Sequence, residues 1–269
     1  MKSLEKLKEK RLFLFDIDGV LKLGDDIVDG SKELLKYIDE IGGLSILITN
    51  NSTKSNTSYV EYFKKFGFEN LKANNFLTAL DVTKIYLESN CKNDKIFVVG
   101  TKSMFDELQK SGFNVTDKIE DDITVLLVGY DNELTYKKVQ DACNILQTKK
   151  VKYLATNLDL VCPMPFGFVP DCGAIVEFIK FATQKMPEFI GKPKPDMVFE
   201  SLKMSGFSKE QTMVIGDRLY TDIACGINAG IDTCVVFTGE AQKEDLKTTE
   251  FVPTYQFQSV KELLEELKK

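Results

Sequence analysis

The 269-residue chain contains no histidine and no tryptophan. The missing histidine excludes Ser-His-Asp and Cys-His nucleophile pairs, imidazole acid–base catalysis and every zinc site that needs an imidazole. Any catalysis must therefore rest on carboxylates, lysine, cysteine, hydroxyls or a metal ion. Cysteine is present but scattered, at positions 91, 143, 162, 172, 225 and 234, with no Cys-x-x-Cys. That spacing offers neither a thioredoxin motif nor a zinc ribbon, and it reads as reduced thiols in a reducing, cytoplasmic compartment. No apolar run approaches the ~20 residues of a membrane span. The first residues also lack the apolar stretch of a secretory signal. Long basic blocks are missing too: the formal net charge is −6, and the densest basic stretch, Lys2 to Arg11, interleaves Glu5 and Glu9. These features point away from nucleic acid and from anionic membrane as partners.

What is present is an alternation of short apolar runs and helical patterns. Leu12–Phe15 and Leu44–Ile48 read as strands buried on both faces, and between them Leu34, Leu35, Ile38 and Ile41 recur at helical spacing. The pattern returns near the end with Met213–Ile215, a helix holding Ala224, Ile227 and Ala229, and then Cys234–Phe237. A last helix carries Val260, Leu263, Leu264 and Leu267 and opens on a Ser259-x-x-Glu262 capping box. In between, strands are expected at 96–99, 125–128 and 153–155, with helices near 102–111, 135–147 and 173–184. The fold class expected is α/β: a Rossmann-like parallel-sheet core built from 1–78 and 190–269, interrupted by an inserted α/β domain over 79–189.

Four segments could carry chemistry. Asp16-Ile-Asp18-Gly19-Val20 follows the first strand, where ligands of open α/β sheets bind. Thr49-Asn50-Asn51-Ser52-Thr53 follows the second and offers hydroxyls and amides to an anion. Gly191-Lys192-Pro193-Lys194-Pro195-Asp196 fixes lysines on a turn, and Gly216-Asp217-Arg218 through Asp222 sets two further carboxylates at a strand end. Each has a local explanation as an acidic turn, a helix cap or a surface loop. Taken together they crowd like charges at neighbouring strand ends, which a lysine and a divalent cation would relieve. All-oxygen ligands select a hard ion, and Mg2+ is the expected one.

In this order and spacing the four segments resemble the motifs of haloacid dehalogenase-superfamily phosphatases, with the insertion matching that superfamily's large α/β cap. More narrowly, Thr49 through Ser55, Ala155-Thr-Asn-Leu-Asp159, Gly191-Lys-Pro193 and Gly216-Asp-Arg218 through Asp222 are similar to the group containing p-nitrophenylphosphatases, phosphoglycolate and pyridoxal phosphate phosphatases and the NagD-like enzymes. The resemblance implies hydrolysis of small phosphate monoesters. Asp16 would be the nucleophile that becomes an aspartyl-phosphate. Asp18 would protonate the leaving alkoxide and then activate water. Thr49 and Asn50 would hold the phosphate. Lys192, preferred over Lys194 by the Gly-Lys-Pro match, would offset charge. Asp16, the Asp18 carbonyl and Asp217 would ligate Mg2+, with Asp222 supporting the site from behind.

The resemblance also implies a small phosphorylated metabolite as partner and raises a homodimer joined through the cap. For leaving-group recognition the expectation falls on 166–173, with Phe168, Asp171 and Cys172 as the named residues, against the alternative that the phenylalanines pack the cap core. Lys22 stands where relatives often carry tryptophan, and it would either favour acidic substrates or point into solvent. The competing readings are a phosphotransferase or mutase on the same core, and a non-catalytic phospho-ligand binding protein.

Overall fold

The structure is a computed structural model that describes residues 4–52, 56–164 and 166–269. Thr53–Ser55 of the hydroxyl-amide segment and Pro165 lie outside the described residues. The chain divides into two compact units. The first comprises Met1–Thr49, Asn56–Leu77 and Lys192–Lys269, and the second Asn50–Ser55 and Thr78–Gly191. Against the expected 79–189, the second unit also takes in the segment at 50–55.

The first unit is built on a six-stranded sheet in the order Tyr255–Phe257, Asp232–Val236, Thr212–Gly216, Leu12–Phe15, Leu44–Thr49, Phe76–Thr78. Leu12–Phe15 lies at its centre and pairs in parallel with both neighbours, Phe15 standing opposite Ile215 and Leu47. The two remaining ladders on the Thr212–Gly216 side are parallel as well. By sequence the order is 6-5-4-1-2-3, so the winding direction reverses between Leu12–Phe15 and Thr212–Gly216. In open α/β sheets ligands bind at the carboxyl ends of strands flanking such a reversal.

Fully buried Phe13, Phe15, Leu47, Met213 and Ile215 form one face of the sheet. Leu34 and Ile38 of the Ser31–Glu40 helix pack on it, together with Leu263 and Leu267 of the Val260–Lys268 helix. The capping box expected before this last helix is altered. The Ser259 side chain makes no cap bond, and the Glu262 carboxylate instead accepts from the Gln258 backbone N–H. Ile227, in the Ala224–Ala229 helix, is exposed.

The second unit holds a five-stranded sheet in the order Glu188–Phe189, Lys152–Ala155, Ile123–Val128, Lys95–Val99, Asn114–Thr116, with parallel pairing throughout. Its core joins Phe97, Val99, Leu126 and Val128 to Ile175, Val176 and Ile179 of the Cys172–Thr183 helix. An antiparallel ribbon, Val161–Met164 with Gly167–Pro170, stands apart from this sheet. Among the described residues no helix is long and apolar enough to cross a membrane.

Candidate active site

Two chain segments deliver three carboxylates to the reversal point of the first sheet. Asp16 follows the central strand, and its backbone N–H donates to the Ile215 carbonyl at 2.8 Å, which continues the ladder past Phe15. Beyond it the chain turns sharply: Leu21 N–H reaches the Ile17 carbonyl at 3.0 Å, and Gly19 N–H reaches the Lys22 carbonyl at 2.8 Å. Gly19 holds φ +89°, and a Cβ there would sit 2.3 Å from Asp217 Oδ2. Both the left-handed backbone and the approach of Asp217 therefore demand glycine at this position.

Asp217 follows the neighbouring strand Thr212–Gly216. One of its oxygens, Oδ2, accepts from the Glu240 backbone N–H at 2.8 Å. The other, Oδ1, is buried and has no hydrogen-bond partner among the described residues. A single π-type turn, Leu219–Ile223, comes next and swings Asp222 back towards the strand end. There Asp222 Oδ2 accepts from Arg218 N–H at 3.1 Å. Widened turns of this kind recur at functional positions.

Lys192, 1% exposed, closes the cluster from below. Its ammonium lies 2.5 Å from Asp16 Oδ1 and 2.7 Å from Asp222 Oδ1, and it donates to the Ile48 carbonyl at 3.4 Å. One carboxylate oxygen each from Asp16, Asp217 and Asp222 lies within 4.8 Å of the other two. Burial pushes the Asp16 carboxyl up to about 7, Lys192 pulling against it and Asp222 adding to it. Burial, then Asp222 and Asp16, hold the Asp217 carboxyl well above the ordinary range. For Lys192 burial works downwards, but the charges of Asp16 and Asp222 outweigh it and raise the ammonium above its usual value.

Thr49 ends its strand and is buried. Asn50, the next residue, is buried in the second unit, where its carbonyl accepts from Asn157 Nδ2 at 2.9 Å. Asn157 was legible in the sequence only as part of Ala155–Asp159 and carried no role there. Its fully buried side chain also accepts from Asp159 N–H at 2.9 Å, so it ties the end of the Lys152–Ala155 strand to Asn50. The carbonyl of the rival Lys194 accepts from Cys225 Sγ. Asp18 pairs with the Lys22 ammonium. Lys22 is thereby engaged with the site and does not simply face solvent.

The expected leaving-group readers divide. Phe166 and Phe168 are 76% and 64% exposed, so they do not pack the core of the second unit. Asp171 and Cys172 require correction. Asp171 is buried and caps the Cys172–Thr183 helix by accepting from the Cys172 N–H. Cys172 is fully buried, its thiol set against the Val128 carbonyl and Thr156 Oγ1, and burial pushes that thiol up to about 12. A helix cap and an interior thiol present no surface to a substrate.

Three buried carboxylates around one lysine leave an excess of negative charge. A buried Asp217 Oδ1 with no hydrogen-bond partner among the described residues, in an all-oxygen cluster, fits a hard divalent cation. Asp16, Asp217 and Asp222 are the side chains positioned to hold one or to support its ligands.

A family model described as haloacid dehalogenase-like hydrolase matches residues 13–114, and a second HAD-hydrolase-like model matches 189–263. An acid sugar phosphatase of Staphylococcus epidermidis is 31% identical over 263 residues, covering 98% of this chain and 100% of the relative. The solved 4-nitrophenylphosphatase of Thermotoga maritima superposes with a TM-score of 0.89 at 32% identity, over 97% of this chain and 98% of that one. A glycerol phosphate phosphatase of Mycobacterium tuberculosis, solved in complex with magnesium, shares the fold with a TM-score of 0.87 at 24% identity, over 99% of this chain and 79% of that one.

Proposed function

The chain belongs to the haloacid dehalogenase-like hydrolases, and on that premise we propose that it is a Mg2+-dependent phosphatase of small phosphate monoesters acting through an aspartyl-phosphate on Asp16. The observation that carries the proposal is the contact of Lys192 with both Asp16 and Asp222 inside a buried carboxylate cluster. The relatives supply the reaction class: an acid sugar phosphatase and a 4-nitrophenylphosphatase align over nearly the whole chain. Magnesium is supported by the all-oxygen donor set and by the mycobacterial phosphatase of the same fold, which holds that ion.

A carboxylate oxygen of Asp16 attacks phosphorus as the bond to the ester oxygen breaks. Asp18 gives its proton to that oxygen, and the alcohol departs. Asp18 then takes a proton from water, which attacks the aspartyl-phosphate and releases inorganic phosphate and the restored Asp16 carboxylate. Lys192 holds Asp16 in line and neutralises charge that builds on the transferring group. Thr49 and Asn50 donate to phosphate oxygens. Asp16, Asp217 and Asp222 would hold a divalent cation or support its ligands, and when bound it would supply positive charge that offsets these buried acids and the phosphate dianion. The substrates expected are p-nitrophenyl phosphate, phosphoglycolate, pyridoxal phosphate and their like, and the staphylococcal relative adds sugar phosphates to the set. Free cysteines at all six positions support a reducing compartment, the cytoplasm.

The test is a phosphate-release screen over these esters. Release that EDTA abolishes and Mg2+ restores is the expected result. No release from any ester would favour a binding protein, and accumulation of a phosphorylated acceptor would favour a transferase.

A further inference from the structure

Lys22 is not accounted for by the reaction above. The turn that follows Asp18 fixes its position: Lys22 N–H donates to the Ile17 carbonyl at 3.2 Å, and its own carbonyl accepts from Gly19. A short ribbon then pairs Lys22 with Ile27 and Leu23 with Asp26. The side chain is 13% exposed, its ammonium lying 5.7 Å from the centre of the Tyr62 ring. Asp18 Oδ1 and, at 3.1 Å, the Gly24 carbonyl are its hydrogen-bond acceptors among the described residues. An ammonium has three N–H donors, so one remains for a ligand.

The four carboxylates of this site repel anions in general. Lys192 is committed to Asp16 and Asp222, beneath the nucleophile. Lys22 instead stands beside Asp18, the residue that meets the ester oxygen, so its charge is on the side of the leaving group. A leaving oxygen protonated by Asp18 lies about 2.7 Å from one of that residue's oxygens, which puts the Lys22 ammonium roughly 5 Å away from the leaving oxygen. A carboxylate one carbon beyond the ester oxygen spans that gap. A half-buried ammonium acts on such a group at reduced dielectric, where a charge pair counts for more than in water.

We propose that Lys22 is a specificity-determining residue that selects phosphate monoesters whose alcohol carries a carboxylate next to the ester oxygen. This rests on the phosphatase reading above, and the experiment separates the two. Initial rates are measured with Mg2+ for p-nitrophenyl phosphate, for 2-phosphoglycolate and for the neutral amide of 2-phosphoglycolate, in the wild-type protein and in Lys22→Met and Lys22→Arg. The readout is the ratio of kcat/KM for the acid over that for the amide, which a uniform loss of Asp18 alignment leaves unchanged. The wild-type ratio is expected at tenfold or more, falling to near unity in Lys22→Met and recovering in Lys22→Arg. The KM for the acid should carry most of the change. A wild-type ratio near unity, or a ratio unmoved by Lys22→Met, overturns the inference and leaves the phosphatase reading intact. So does hydrolysis of p-nitrophenyl phosphate with neither glycolate ester turned over. Absence of turnover with all three esters overturns both.

Discussion

Asp217→Asn should stabilise the metal-free protein while removing its response to Mg2+. The replaced carboxylate is buried, one of its oxygens falls within 4.8 Å of one each from Asp16 and Asp222, and Oδ1 has no hydrogen-bond partner among the described residues. Two unit charges at 4.8 Å, the outer bound of that cluster, repel by about 3.5 kcal/mol at an effective dielectric near 20. Lys192 offsets part of this, which leaves a gain of about 2 kcal/mol for the neutral amide. The amide also suits the site locally. Its oxygen can keep the Glu240 N–H, and its NH2 replaces the orphaned oxygen with a donor facing two acids. A gain of 2 kcal/mol in a unit of this size corresponds to a rise in Tm of about 4–8 °C. Differential scanning calorimetry at pH 7.5 in EDTA should show that rise in the first unit's transition. Added MgCl2 should then raise the wild-type Tm and leave the variant nearly unmoved. A metal-free variant that melts below wild type, or an equal response of both proteins to Mg2+, would refute the claim that these acids are held together at a cost relieved by a cation.

Asp16→Asn should abolish turnover, by at least about 10³-fold, with an unchanged circular dichroism spectrum; normal turnover, with deamidation excluded by mass spectrometry, would sink the nucleophile assignment. Metal-free stability should depend on pH in a defined direction. Folded Asp16 keeps its proton up to about pH 7, whereas an unfolded aspartate loses it near 3.8, so the folded state binds more protons in that window. Stability should therefore fall from pH 4 to just above 7, by up to about 4 kcal/mol, and Mg2+ should flatten the slope; denaturant midpoints rising across the same range in EDTA would contradict it. The second unit exposes Phe178 and Phe181, three residues apart on the Cys172–Thr183 helix and 51% and 81% exposed. If the homodimer raised by the family resemblance forms through this face, light scattering will return twice the chain mass for wild type and a single chain mass for Phe181→Glu. A monomeric wild type, or a dimer untouched by the substitution, would remove that surface from consideration.

Recognition of the fold in the sequence depended on strands with a one-sided physical explanation. Leu12–Phe15 and Thr212–Gly216 are buried at every position, as central parallel strands must be, and an acid straight after an unbroken apolar run has no place in a core. The less legible elements carry sequence signals against themselves. The ribbon Val161–Met164 with Gly167–Pro170 contains two prolines and is largely exposed, and Asn114–Thr116 is a three-residue edge strand with two polar side chains. Asp171 and Cys172 failed as substrate readers for a related reason. An Asp opening a helix at Cys172 is an ordinary N-cap, and the apolar face that follows it draws the cysteine inward.

The side chains beyond sequence reasoning are those whose partners lie far along the chain. Asn157 holds a carbonyl 107 positions away, and Lys192 meets an aspartate 176 positions away. A motif can nominate such a residue but cannot say what it touches. Lys22 is the opposite case, since its partner is only four positions back. The spacing was open to inspection, yet a lysine near an aspartate in a loop is ordinarily a solvated pair worth little. What changes its meaning is the tight turn through Gly19, which holds that pair half-buried beside the buried acids. The same glycine admits Asp217 to the site, so one residue without a side chain shapes both the charge cluster and the cation at its edge.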